Sequence, residues 1–415
     1  MTNSVKIKKK TFPKHFRGIS SPDSSKPTLF LFVYSHIYMR MIVAVACVAT
    51  AGAVDREQPS KESRMRGAFF GSLVADALCL GSHYEYDAPT IKAAYGGKLI
   101  ETYMAPGEKM GGTTHGVGWG RRNYHPGQRK GDQTDYGEYN ILMLEHLASR
   151  GERGGQVDLK SLIPAWQRRL KSPSWGAWRC SQTKQTLQQV ESGMTYSSLG
   201  GMSNAMAMRS AAAVAAFEDE DGAAKAARVM MFTHRNEEAL AGGEFFTRVA
   251  FKVAVDGATP RAAIDATASQ MGGWIQKQVE KGVRKFEEAT DPLRPLSKEE
   301  FADDLAMTSM ARLWDVGKTE PIKVGKASPT EGTLPSSVYI ILKYVDDFAA
   351  AAKANAMVGG DNASRGVAIG MVLGAYHGVE GIPKPLQDGL NAWGKCDELL
   401  TRLLELDAAP LKGEL

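Results

Sequence analysis

Cysteine is scarce: the chain carries four in 415 residues, Cys47, Cys79, Cys180 and Cys396. None stands in a CxxC pair or beside a histidine cluster, so neither a zinc site nor a disulfide framework is indicated, and buried free thiols are expected. There is no G-x-x-x-x-G-K-[ST] segment, which excludes a P-loop. Strand-like alternation is missing, and so is any repeat of fixed period. The uncharged stretch from Met41 to Val54 is too short to span a bilayer as a helix. The net charge of +5 is misleading, because residues 1–54 hold eight Lys/Arg against one acid, Asp23. The rest is slightly acidic and has no electrostatic footprint for nucleic acid. No nucleic-acid partner and no membrane contact of the mature domain are therefore expected.

The N-terminal part reads as a targeting segment. "KIKKK" leads into Ser/Pro-rich sequence, and residues 39–54 pair Arg40 with an apolar run ending in "ATAGAV". That order resembles a signal peptide with a small-residue cleavage site. It implies the secretory pathway or an organelle; without such a signal the protein would be cytoplasmic. "DREQPSKESR" reads as a linker. The expected division is 1–62, targeting segment and linker, and 63–408, folded domain.

The body is helical in pattern. Its 43% apolar and 23% charged content is ample for a sizeable core. "DYGEYNILMLEHLASRG" puts Ile141, Leu144 and Leu147 on one stripe, with Gly151 placed to close the helix. "SNAMAMRSAAAVAAFED" and "DEDGAAKAARVMMFTH" are Ala-rich and predict helices. Thr259 and Pro260 stand where an N-cap and first helical residue belong. "VYIILKYV" is β-rich, but its Ala-rich surroundings predict helix.

"VGGDNASRGVAIGMVLGAYHG" (358–378) places Gly366, Gly370, Gly374 and Gly378 four residues apart, a slowly drifting stripe on one helix face. Each glycine costs about 1 kcal/mol against alanine, acceptable where a second helix must approach closely. The polar group 361–364 sits at that helix's N-terminus, where free N–H groups favour anions. The longest glycine-rich loop, 111–140, carries His115, Trp119, Tyr124 and His125. It is either a functional loop or a solvated one kept soluble by Arg121, Arg122, Arg129 and Lys130. Asp132 is expected to cap the helix that follows. His83 and His234 are expected to pack or hydrogen-bond rather than catalyse.

Two glycine-led acidic motifs at distant helix starts resemble the ADP-ribosylglycohydrolase family and its lens-crystallin relatives. "RGAFFGSLVADALCLGSHYEYD" is similar to that family's opening G-x-x-x-G-D-A-x-G helix, and "GDQTDYGEYNILMLEHL" to its T-D-D-T metal motif. "SNAMAMR" is similar to G-N-G-x-x-M-R, "FTHRNEEALAGG" to a Thr-His turn, and 331–383 to a closing stretch with G-G-D-T-D-T-I-G. The resemblance spans about residues 64–405 and implies an all-α fold: a single compact multi-helix domain.

It also implies two Mg²⁺ ions on paired Asp and Thr oxygens, which orient the ribose hydroxyls of ADP-ribose for cleavage at C1″. Partners would be small-molecule or protein-attached ADP-ribosyl substrates. Carried over by position, Glu85 and Asp132 are the catalytic candidates, with Asp87 competing with Glu85. Asp132, Asp361 and Ser364 are the metal ligands, with Gln133 and Asp135 possible. His115, Trp119, Tyr124, Asn204 and Arg365 would contact substrate. The chain departs from the pattern: Gly131, Asp132 and Gln133 align on T-D-D, and Asp361, Asn362, Ala363 and Ser364 on D-T-D-T. Two of four carboxylates survive, and Arg365 adds a cation. Three outcomes stay open: one Mg²⁺ on Asp132, Asp361 and Ser364; Asp135 as a replacement ligand; or Arg365 in a metal's place, paired with Asp132 and Asp361. The implied activity is hydrolysis of a glycosidic bond of ADP-ribose or a related adduct. A catalytically inactive ADP-ribose-binding or crystallin-like relative is the alternative.

Overall fold

The computed structural model describes residues 58–113, 122–310, 313–314 and 322–406. The signal-like segment 39–54, His115 and Trp119 lie outside the described residues. From Pro59 onward the chain is one compact unit. Its helices are α1 (Lys61–Cys79), α2 (Ala88–Ala94), α3 (Asp135–Ala148), α4 (Leu159–Lys171), α5 (Ser181–Glu191), α6 (Ala213–Ala216), α7 (Glu220–Met230) and α8 (Glu237–Ala254). They continue as α9 (Pro260–Met271), α10 (Gly273–Thr290), α11 (Ala302–Ser309), α12 (Thr330–Lys343), α13 (Phe348–Val358), α14 (Asn362–His377), α15 (Lys384–Gly389) and α16 (Trp393–Glu405). A two-residue antiparallel pairing of Leu313–Trp314 with Ile322–Lys323 is the one sheet among the described residues. The fold is all-α.

Helices α1 and α14 form the centre, and the glycine stripe explains why. A Cβ added to Gly374 would lie 2.1 Å from the Gly67 carbonyl oxygen, and one added to Gly370 would lie 2.2 Å from that of Gly71. Two backbones thus meet without side chains between them, as the stripe predicts, and α1 supplies the complementary glycines four residues apart. Both helices are buried almost throughout. Helices α8, α12 and α13 pack around α14, and α3 packs against α16. This fixes the end of α1 and the start of α14 as rigid neighbours.

Local expectations fare unevenly. Thr259 caps α9 by accepting from the Ala262 amide, with Pro260 first in the helix. "VYIILKYV" is helical in α12 up to Lys343. Ser60 caps α1, so the first helix begins two residues before the expected boundary at 63. Asp132 does not cap α3; Thr134 does, accepting from Tyr136 N at 3.1 Å. "SNAMAMRSAAAVAAFED" is not a continuous helix, since only Ala213–Ala216 is helical. Tertiary bonds take its backbone first: Met206 N donates to Ser328 O, while the Asn140 side chain bonds Met208 O and Ala211 N. A buried segment wired to the chain at Ser328 and to α3 overrides alanine propensity.

Candidate active site

Three segments converge: the turn after α1, the start of α3 and the start of α14. Gly359 and Gly360 both have positive φ, +71° and +67°. A Cβ would lie 2.1 Å from the Glu85 carbonyl oxygen in the first case and 2.1 Å from that of Lys326 in the second. Only glycine lets the entry to α14 run in backbone contact with the turn after α1. Gly360 N donates to Glu85 O, Tyr84 N to Gly360 O, and Asp361 N to Lys326 O at 2.7 Å. Tyr84 itself has φ 69°, alone among the described non-glycine residues. Such backbone strain is typical of functional turns.

Asp361 is fully buried at the N-cap of α14. Its Oδ2 accepts from the Tyr136 hydroxyl at 2.9 Å, and its Oδ1 lies 3.2 Å from His83 Nε2. Burial alone would raise its pKa, but the hydrogen bond and the field of His83, with hydrogen bonds from Ser328 and Tyr136, outweigh it and hold the carboxyl below its ordinary range. His83 Nδ1 faces His125 Nε2 at 2.9 Å, and His125 Nδ1 accepts from the Trp178 amide at 3.2 Å. The His83 ring stacks on Tyr84, with centroids 3.8 Å apart. Both histidines are buried, and burial pushes His125 well below the ordinary imidazole range.

The start of α3 meets the end of α1 through Asp76. Thr134 donates to it twice, from its amide at 2.8 Å and its hydroxyl at 2.5 Å. In the orientation that satisfies both groups, the Gln133 amide donates to Leu73 O and Asp76 Oδ2. Burial raises Asp76 to about 7 against the lowering effect of the Thr134 bonds. Asp135, the first residue of α3, is 3% exposed, and its Oδ1 has no hydrogen-bond partner among the described residues. Burial raises its pKa well above the carboxylate range, and the Asp361 charge raises it further; Arg209 opposes this. Arg209 is buried with its guanidinium 3.6 Å from the Tyr139 ring centroid, and its Nε is unpartnered.

The helix cap lies beyond the aligned triplet. The acidic helix start is Thr134–Asp135–Tyr136, three residues beyond Gly131–Asp132–Gln133. Asp132 is half-buried and turned elsewhere: it accepts from Arg129 N at 2.7 Å and from the Asn391 amide at 2.8 Å. No bond links it to Asp361 among the described residues. Asp135 holds the position facing the field of Asp361.

The other expected residues divide. Ser364 is beside Asp361, its hydroxyl donating to Met206 O at 2.7 Å. Glu85 is buried in the same turn, its Oε1 accepting from Tyr86 N and Asp87 N. Asp87 caps α2 through Thr90 N. Tyr124 packs edge-on to Tyr84 and Trp178, with the Arg122 guanidinium 4.4 Å from its ring centroid. Asn204 is part-buried and donates to Glu238. Arg365 is fully buried, but the expected pairing with Asp132 and Asp361 is not formed. Its donors go to Asn355 and to the carbonyls of Lys326 and Gly359. A planar fork suits that set of fixed acceptors. His83, His125, Tyr136 and Arg209 were not among the expected site residues.

One coordination-sized cluster exists among the described residues: ligand atoms of His83, His125 and Asp135 lie within 4.8 Å of one another. A hard Mg²⁺ pair needs many oxygen ligands. Here Gln133 and Thr134 donate to Asp76, Asp132 faces Asn391, and Ala363 offers nothing. That donor set does not fit a Mg²⁺ pair. No described helix is long and apolar enough to cross a membrane.

Buried acids thus meet at the starts of α3 and α14 within an all-α body. The chain belongs to the ADP-ribosylglycohydrolase family, whose model matches residues 57–411, and this match makes the fold a hydrolase-like one. No curated protein matches it. Among solved structures it is similar to a chain of an "ADP-ribosylglycohydrolase-related protein complex", with TM-score 0.50 and 20% identity, over 83% of this chain and 98% of that one. That likeness is one of fold.

Proposed function

We propose that the protein hydrolyses the glycosidic bond of an ADP-ribosyl adduct, with Asp135 and Asp361 as a carboxyl pair in opposite protonation states. The observation that carries this reading is Asp135 Oδ1, a buried carboxyl oxygen without a hydrogen-bond partner among the described residues, in the field of a carboxylate that accepts from Tyr136 and faces His83. Native structures rarely leave such an atom orphaned unless a water or ligand completes it. Neighbouring acids whose environments push their pKa values apart divide into acid and base. Asp135, neutral, gives its proton to the leaving atom on C1″. Asp361, ionised, faces the developing oxocarbenium charge. Water supplies the hydroxyl to C1″, and its remaining proton returns the acid.

Arg209 provides a fixed cation for an anionic substrate, and Tyr124 with Trp178 provides an aromatic wall for a base. Glu85 braces the turn that carries His83. No step is routed through Mg²⁺. The family supports an ADP-ribosylated substrate, attached to protein or to a small molecule.

The test is release of free ADP-ribose, by mass spectrometry, from arginine-, serine- and nucleotide-linked ADP-ribose. Release lost in Asp135→Asn and Asp361→Asn supports the reading, with a fall of about 10²–10⁴-fold for an acid–base group. ADP-ribose bound by calorimetry but never released would instead mark a binding or crystallin-like relative. Neither binding nor release would overturn both.

A further inference from the structure

The two buried histidines are joined to a backbone amide at one end and to a carboxylate at the other, and this fixes where every proton sits. The Trp178 amide can only donate, so His125 Nδ1, 3.2 Å away, must accept. A proton on Nδ1 would face the amide hydrogen directly. His125 therefore carries its one proton on Nε2. That atom lies 2.9 Å from His83 Nδ1, which must accept in turn. The single proton of His83 is then on Nε2, 3.2 Å from Asp361 Oδ1. The contact between His83 and Asp361 is thus a hydrogen bond from a neutral imidazole, not an ion pair.

We infer that Trp178 N–H, His125 and His83 form a one-way hydrogen-bond chain that holds Asp361 as a carboxylate and closes the histidine–aspartate cluster to a divalent cation. His125 is a positioning residue: among the described residues no hydrogen bond joins it to Asp361, but it dictates which nitrogen of His83 bears the proton. The two nitrogens facing one another, His83 Nδ1 and His125 Nε2, are used up in bonding each other. For an ion to bind His125 Nε2, the proton there must leave, and the neutral ring must put its proton on Nδ1 against the Trp178 amide. Tyr84, stacked on His83 at 3.8 Å, resists rotation of that ring out of the chain. Asp361, next to the histidine–aspartate cluster, receives the His83 N–H, the Tyr136 hydroxyl and the Ser364 amide, so its oxygens are already taken by donors.

This rests on the reading of Asp361 as the ionised acid, but its test needs no turnover, so its failure and the failure of hydrolysis are separate results. In protein labelled with nitrogen-15 histidine, long-range proton–nitrogen correlation at neutral pH distinguishes the two neutral tautomers and the cation. The expected result is the neutral Nε2–H form at both His83 and His125, unmoved by millimolar Mg²⁺ and unbroadened by stoichiometric Mn²⁺. His125→Gln, whose amide can still accept from Trp178 and donate to His83, keeps the His83 tautomer. His125→Leu, which cannot, releases His83 into a mixture of tautomers. A proton on His125 Nδ1, a charged His83, or selective Mn²⁺ broadening of both imidazoles would overturn the inference. Spectra of the unsubstituted protein decide between these outcomes even if His125→Leu does not fold.

Discussion

Asp76 and Thr134 are joined twice across the interface of α1 and α3, amide to carboxylate at 2.8 Å and hydroxyl to carboxylate at 2.5 Å. The pair seats the N-terminus of α3, and with it Asp135, against the end of α1. Asp76 is fully buried and titrates near 7 in the fold, against about 4 in an unfolded chain. The folded state then binds more protons than the unfolded one between these values. The contribution of Asp76 is fully present below about pH 4 and is lost as pH rises through 7. Asp76→Asn should therefore gain on the unsubstituted protein by about 3 kcal/mol between about pH 5 and 8, read from urea unfolding at each pH. A constant difference across that window would contradict the assignment.

The contact of α1 with α14 predicts a sharp contrast between glycines. Gly374→Ala puts a methyl 2.1 Å from the Gly67 carbonyl oxygen, which neither backbone can accommodate without moving. A loss of about 3 kcal/mol or more is expected. Gly394→Ala, in α16 with nothing within 4 Å of the new atom, should be neutral or slightly stabilising. Thermal unfolding of the two variants decides it.

Arg365 is a structural fork rather than a counter-ion. It joins Asn355 to the carbonyls of Lys326 and Gly359, and so holds the turn that presents Asp361. Arg365→Leu leaves the buried Asn355 side-chain oxygen and Gly359 carbonyl without this donor, while Lys326 O keeps the Asp361 amide, and should cost at least about 2 kcal/mol. Arg365→Lys should restore only part of this, because a single ammonium cannot span the set. Equal stability of the lysine variant and the unsubstituted protein would show that charge, not geometry, is what matters there.

Much of the frame was legible because it depends on local rules. Glycines four residues apart announce close helix approach, and Thr-Pro announces a helix start. The order of five weak motifs was enough to point to the family. The site was less legible. Asp132 and Asp135 are three residues apart, both near a helix start, and both read as plausible ligands. The choice is made by Asp76, fifty-eight residues earlier in sequence, which captures Thr134 and so sets the register. His83 and His125 are forty-two residues apart, and their alignment depends on a main-chain amide that has no sequence signal. The segment around Met206 failed as a helix for a similar reason: its partners, Ser328 and Asn140, are distant.

Tyr136 stands one residue after Asp135 and gives its hydroxyl to Asp361 Oδ2. Tyr136→Phe removes a donor from the carboxylate and should raise the Asp361 pKa while costing about 1 kcal/mol of stability. If Asp361 titrates unchanged in that variant, the hydroxyl is not part of what keeps it ionised.

Two neighbouring acids in opposite states are the centre of the proposed chemistry. Carbon-13 carboxyl spectroscopy of aspartate-labelled protein reads both directly, with Asp135→Asn and Asp361→Asn supplying the assignments. At neutral pH, Asp135 should give the signal of a protonated carboxyl, while Asp361 stays a carboxylate down to about pH 3. An ionised Asp135 at neutral pH, or an Asp361 that protonates in the ordinary carboxyl range, would contradict it.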